Sequence, residues 1–148
     1  MPRVNATCIE IDGQGVLLAG PSGAGKSDLA LRLVLDHGAR LVADDWTEVV
    51  AENGRPVATP PAALAGLIEV RGLGVVALPA ERLATGVPLH LWVDLVPPAA
   101  VERLPEPSAR QVAGLSLPRL ALAPFQASAP ARLRLALGVA VGRLELAS

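Results

Sequence analysis

Short runs in which apolar and polar residues alternate dominate the chain, and helical spacing appears in only two places. Residues 7–11, Thr-Cys-Ile-Glu-Ile, alternate as a strand. Asp12-Gly13-Gln14-Gly15 turns, and Val16, Leu17, Leu18 and Ala19 form an apolar run suited to a buried strand, so the chain opens as a β-hairpin. Over residues 28–35 the spacing becomes helical, with Leu29, Ala30, Leu33 and Val34 on a broad face widened by Leu31 and Leu35. Gly38 after His37 supplies the stop. Residues 40–43 read as a second buried strand. Residues 46–50 and 55–59 flank Asn53-Gly54, a strong two-residue hairpin signal, before Pro60-Pro61 break the pattern and residues 62–67 form a short helix or turn.

Further on, strict alternation over residues 89–95 sets Leu89, Leu91, Val93 and Leu95 on one face and His90, Trp92 and Asp94 on the other. Residues 97–110 are a proline-rich polar loop, and residues 118–125 read as another strand. Ser128-Ala129-Pro130 opens a helix whose stripe of Leu133, Leu137, Val141 and Leu144 runs to the end, although alternation over 132–135 leaves a strand open there. With no repeat and no boundary, residues 1–148 form one expected domain.

Composition narrows the classes. A chain of 148 residues is long enough to bury about two-thirds of its unfolded surface. A formal net charge of -1 gives no basic footprint for nucleic acid. No apolar run approaches the roughly 18 residues of a membrane span, and residues 1–7 have no signal-peptide core. A cytoplasmic protein without nucleic-acid or membrane partners is therefore expected. Cys8 is the single cysteine and reads as a small buried apolar residue.

The chemistry concentrates after the first hairpin. Gly20, Pro21, Ser22, Gly23, Ala24, Gly25, Lys26 and Ser27 spell G-x-x-x-x-G-K-S between an apolar strand and a helix, the context a P-loop requires. Glycines let backbone N–H groups approach phosphate oxygens, and the helix start adds unpaired amides. Lys26 would reach the β- and γ-phosphates and Ser27 would ligate Mg²⁺. Lys26 is the one lysine among 13 basic residues, which argues against a mere glycine-rich turn. Asp44 and Asp45 follow the strand at 40–43. In a parallel sheet they would border the ligand crevice beside the P-loop, one facing Mg²⁺ and the other the nucleophile; the alternative is a solvated turn. In Ile68-Glu69-Val70-Arg71-Gly72-Leu73-Gly74, Glu69 and Arg71 share a face, although a strand edge ending in a glycine turn would look the same. Loop 97–110 carries Arg103 and reads as a lid bringing an arginine to the transferring phosphate. His37 suits a helix C-terminus, and His90 with Asp94 reads as structural.

Taken together, the P-loop, Leu-Val-Ala-Asp-Asp one helix later, Glu-Val-Arg-Gly-Leu-Gly and the arginine-bearing loop resemble the catalytic domain of the bacterial HPr kinase/phosphorylase family, in its short form. The resemblance implies an α/β fold, a P-loop-containing sheet with flanking helices of the phosphoenolpyruvate-carboxykinase-like kinase type. It implies an ATP- and Mg²⁺-dependent kinase for a serine of an HPr-type phosphocarrier protein of the phosphotransferase system, a reverse phosphorylase reaction, and a homo-oligomer, typically a hexamer. Residues 20–27 would hold ATP, Ser27 and Glu69 would stand on the metal side, Asp44 would accept the serine proton with Asp45 beside it, and Arg103 would be the catalytic arginine. Asn5 stands where the family has a catalytic histidine, and asparagine cannot carry a proton or positive charge near pH 7. The kinase direction is therefore favoured over the reverse. Residues 124–132 resemble only loosely the loop tied to dephosphorylation. A nucleotide-sensing module that has lost turnover and a small-molecule kinase on a related scaffold are the alternatives.

Overall fold

The structure, a computed structural model, describes residues 2–147; Met1 and Ser148 lie outside the described residues. Eleven strands and two α-helices are present among them. The hairpin of β2 (Ala6–Ile11) and β3 (Gln14–Ala19) turns at Asp12-Gly13, both at positive φ, as a two-residue turn matching strand twist requires. Helix α1 (Lys26–Asp36) follows the glycine loop, and Leu29, Ala30, Leu33 and Val34 are its buried apolar face. At its end the His37 and Ala39 N–H groups donate to the Leu33 carbonyl, with Gly38 left-handed at φ 72°.

Strand β4 (Arg40–Ala43) has the predicted bounds. Strand β5 (Thr47–Glu52) turns through Asn53-Gly54 into β6 (Arg55–Thr59), and β1 (Arg3–Val4) lies against β5. The proline break leads to a 3-10 turn at Ala62–Leu64. A small separate hairpin follows, β7 (Leu67–Val70) with β8 (Gly74–Ala77). The long strand β9 (Val87–Leu95) is the axis of the large sheet, which runs β1-β5-β6-β9-β3-β2-β4, with β11 (Leu115–Leu122) beside the C-terminal half of β9 and β10 (Ser108–Val112) outside β11.

Two cores form on opposite faces of this sheet. Leu18, Val16, Leu91, Val93 and Leu95 pack under α1 and α2 (Ala129–Ala140), whereas Leu17, Cys8, Leu89, Trp92 and Val49 pack on the other side. Alternation predicted Leu89 on the face of Leu91. The ladder instead shifts register there: Gly15 pairs with Leu89 and Val16 with Leu91, so His90 is an extra residue and Leu89 crosses over. Gly15 permits this, since a Cβ there would sit 2.8 Å from the Leu89 side chain.

Three other expectations change. The sheet is mixed rather than parallel: β2 runs antiparallel to both β3 and β4, so β3 and β4 point the same way. The segment 97–110 is not loop throughout, because residues 98–100 form a 3-10 turn and β10 begins at Ser108; β11 correspondingly starts three residues early, at Leu115. Helix α2 ends at Ala140, and Leu144 folds back onto Gly138, whose missing side chain makes room. The open choice between helix and strand at 132–135 falls to helix. Among the described residues no helix is long and apolar enough to cross a membrane.

Candidate functional site

Strands β3 and β4 flank β2 and deliver their C-terminal ends at the same end of the sheet, so the glycine loop after Ala19 and the aspartates after Ala43 meet. Gly23 and Gly25 hold left-handed φ of 85° and 101°. Gly25 caps α1 without any side-chain hydrogen bond, leaving the first amides of an 11-residue helix open toward the cavity. Lys26 and Ser27, the first two helical residues, are aimed at the two aspartates.

The hydrogen bonds define the division between those aspartates. Ser27 Oγ donates to Asp44 Oδ1 at 2.6 Å, Thr7 Oγ1 donates to the same oxygen at 3.1 Å, and the Glu69 N–H donates to Asp44 Oδ2 at 3.0 Å. Lys26 Nζ donates to Asp45 Oδ1 and to Asn5 Oδ1, each at 3.0 Å. The left-handed φ of 67° at Asp45 turns it away from Asp44, so the two carboxylates face different partners. Lys26 is 7% exposed, a buried ammonium satisfied by two oxygens.

A cavity of about 410 Å³ opens over these groups. Of the expected site residues, Ser22, Gly23, Gly25, Lys26 and Ser27 line it, as do Asp44, Asp45 and Glu69. Gly20, Pro21 and Ala24 build the loop without lining the cavity. Arg103 does not line it either: it is exposed in the segment between the 3-10 turn at Pro98–Ala100 and β10. The arginine that does line it is Arg71, at the end of the β7 hairpin strand, a residue whose shared face with Glu69 was the available signal.

Thr7 was missed. It is fully buried, donates to Asp44 Oδ1 and accepts the Asp45 N–H at 3.0 Å, so one hydroxyl orients both aspartates. Its only signal is a hydroxyl residue in a largely apolar strand, two positions after Asn5. Thr7→Val keeps the shape but leaves the Asp45 amide unpartnered, and is expected to lower stability by about 1–3 kcal/mol. Urea unfolding checks this, with Thr7→Ser expected to stay near wild type.

His90 and Cys8 lie outside this chemistry. His90 Nδ1–H donates to the Pro88 carbonyl at 3.1 Å, and burial together with Arg55 lowers its pKa from the ordinary value. Trp92 Nε1 and Arg119 both donate to Asp94, which keeps it structural as expected. Cys8 is buried, and burial pushes its thiol pKa far up, so it is inert.

The donor set bears on ATP and Mg²⁺. The cavity presents Lys26 and Arg71 against Asp28, Asp44, Asp45 and Glu69, an acidic excess that a polyphosphate alone would find repulsive. Hydroxyl and carboxylate oxygens suit Mg²⁺. Among the described residues no cluster of three His, Cys, Asp or Glu could hold a metal ion by itself; Mg²⁺ is commonly held by one or two carboxylates together with substrate phosphates. The residues present fit an ATP–Mg²⁺ pair.

A loop that carries the lysine and a co-directional strand that carries paired carboxylates define a mixed-sheet α/β domain with its chemistry at one sheet end. Residues 2–121 match the HPr Serine kinase C-terminal domain, and the chain belongs to this family. An HPr kinase/phosphorylase of Geobacillus thermodenitrificans is 34% identical over 131 residues, 80% of this chain and 41% of that protein. One of Clostridium tetani is 39% identical over 77 residues, 52% of this chain and 25% of that protein. The chain thus spans well under half the length of these relatives. The structure of the HPr(Ser) kinase/phosphatase of Coxiella burnetii superposes with a TM-score of 0.80 at 26% identity, covering 97% of this chain and 91% of that one.

Proposed function

We propose that this chain is an ATP-dependent protein serine kinase whose acceptor is an HPr-type phosphocarrier protein of the phosphotransferase system. The observation that carries the reading is the 2.6 Å contact of Ser27 with Asp44, which joins the P-loop helix to the aspartate pair at one cavity. Residues 20–27 would hold the triphosphate, with Lys26 neutralising the β- and γ-phosphates. Ser27 and Glu69 would hold Mg²⁺, which supplies charge neutralisation when bound with ATP. Asp44 would take the proton as the carrier serine oxygen bonds to the γ-phosphorus and the bond to ADP breaks, with Asp45 holding Lys26 in place. Arg103 would reach the phosphate only by movement of its exposed segment or from a neighbouring subunit. Residues 1–148 would form one catalytic domain of the phosphoenolpyruvate-carboxykinase-like type, acting in the cytoplasm and assembling as a homo-oligomer, a hexamer by family resemblance. The names of the relatives support the kinase and carrier assignments, and the acidic, oxygen-lined cavity supports the ATP–Mg²⁺ assignment.

The test is transfer of labelled phosphate from ATP to the serine of an HPr-type carrier. Transfer that stops in excess EDTA is expected; ATP binding without transfer would favour a nucleotide sensor instead. Asn5 marks the direction of the reaction. Its amide accepts from Lys26 at 3.0 Å where the family histidine could carry a proton. Phosphate-driven dephosphorylation of the carrier is expected to be slow in wild type and to rise about tenfold or more in Asn5→His. No rise, with forward transfer intact, would remove Asn5 as the reason for directionality.

A further inference from the structure

Lysine, serine and carboxylates account for the phosphate end of the cavity and leave its aromatic wall without a task. Phe125 is the only phenylalanine in a chain with no tyrosine, and it is 69% exposed although it lines the cavity. Large aromatic side chains normally bury most of their surface, so an exposed one fixed at a cleft is informative. Two contacts fix it. The distal edge of the ring rests on Gly25: a Cβ at that glycine would lie 2.8 Å from Phe125 Cζ and 3.1 Å from Cε1. The preceding carbonyl, of Pro124, accepts a hydrogen bond from Arg32, which is itself paired with Asp28 at 3.1 Å on α1. The ring therefore touches the phosphate loop through its distal carbons, the backbone beside it is tied to α1, and most of its surface stays exposed.

We propose that Phe125 is the platform on which the purine base of the bound nucleoside triphosphate stacks. This rests on the ATP reading of the cavity and extends it to the base. Phosphates seated at the loop leave the ribose and base to extend along the cavity wall, and Phe125, which touches the loop at Gly25, is part of that wall. Leu31 and Val70, also on the cavity wall, are apolar and offer the base no hydrogen-bond pattern. Stacking on a π-face accepts a purine without reading its edge.

Calorimetric titration with Mg²⁺–ATP and with Mg²⁺–tripolyphosphate, which has phosphates but no base, separates the possibilities. Phe125→Ala is expected to weaken ATP about tenfold or more while tripolyphosphate stays within about twofold, and Phe125→Trp, which keeps a π-face, is expected to hold ATP near wild type. Because the ring is exposed, its truncation leaves no cavity, and the thermal midpoint should stay close to wild type. Equal weakening of both ligands would overturn the proposal, making Phe125 a brace for Gly25. Unchanged ATP affinity in Phe125→Ala would overturn it too, while leaving the ATP reading standing. Wild-type protein that binds neither ligand would remove the ATP reading and the platform together.

Discussion

Lys26→Met is expected to cut carrier phosphorylation by at least about a hundred- to a thousandfold, the loss typical of removing one preorganised charge from a developing transition state. Methionine keeps the length of the stem and its packing in a buried position, so the comparison isolates the ammonium. Two oxygens, Asp45 Oδ1 and Asn5 Oδ1, lose their common donor. The acidic excess of the cavity grows by one charge, so ATP affinity should fall as well. Lys26→Arg should rescue little, because a planar guanidinium cannot occupy the position of a compact ammonium held 3.0 Å from two separate acceptors. Rapid-quench measurement of phosphoserine together with ATP titration checks both effects. Retention of even a tenth of the wild-type rate in Lys26→Met would mean that the loop binds something other than the transferring phosphate.

Lys26 was legible in the sequence because its signal is local. A glycine-rich loop between an apolar strand and a helix is written in consecutive residues, and so were Asp44 and Asp45 at the end of a run of four. The two-residue turns at Asp12-Gly13 and Asn53-Gly54 were visible for the same reason, since residues that tolerate positive φ advertise themselves. The turn between β10 and β11 uses Ala113 at φ 51°, a residue that seldom adopts it, so the hairpin hid inside a segment rich in proline. The face of Leu89 was equally illegible: the extra residue at His90 is decided by Gly15 on a strand more than seventy residues earlier.

The site repeats this pattern. Thr7 carries no motif, and its importance exists only where β2 and β4 lie side by side and one hydroxyl meets two consecutive aspartates. Phe125 sits on Gly25 from a hundred residues away. Glu69 was legible through family resemblance more than through its own pattern, and the structure ties it in by a main-chain contact, its N–H on Asp44. Arg103 shows the opposite case, a residue singled out by motif whose segment leaves it outside the cavity wall. Motifs record what a residue can do, while strand register decides which residues meet.

Asp44→Asn is expected to lower carrier phosphorylation by about a hundred- to ten-thousandfold, the range for loss of a positioned proton acceptor. The reason is in the hydrogen bonds. Asp44 receives three donors, from Thr7, Ser27 and the Glu69 main chain, which only a carboxylate can accept on both oxygens. An amide offers one acceptor and turns its NH₂ toward a donor, so the variant loses proton acceptance and loosens the link between P-loop helix and β7 hairpin. Asp45→Asn should cost less, since the carbonyl oxygen of asparagine can still accept from Lys26 as Asp45 Oδ1 does. Measuring kcat and KM for ATP in both variants tests that order. If Asp45→Asn proves the more damaging of the two in kcat, the proton goes to Asp45, and Asp44 serves to hold Ser27 and the Glu69 strand in place.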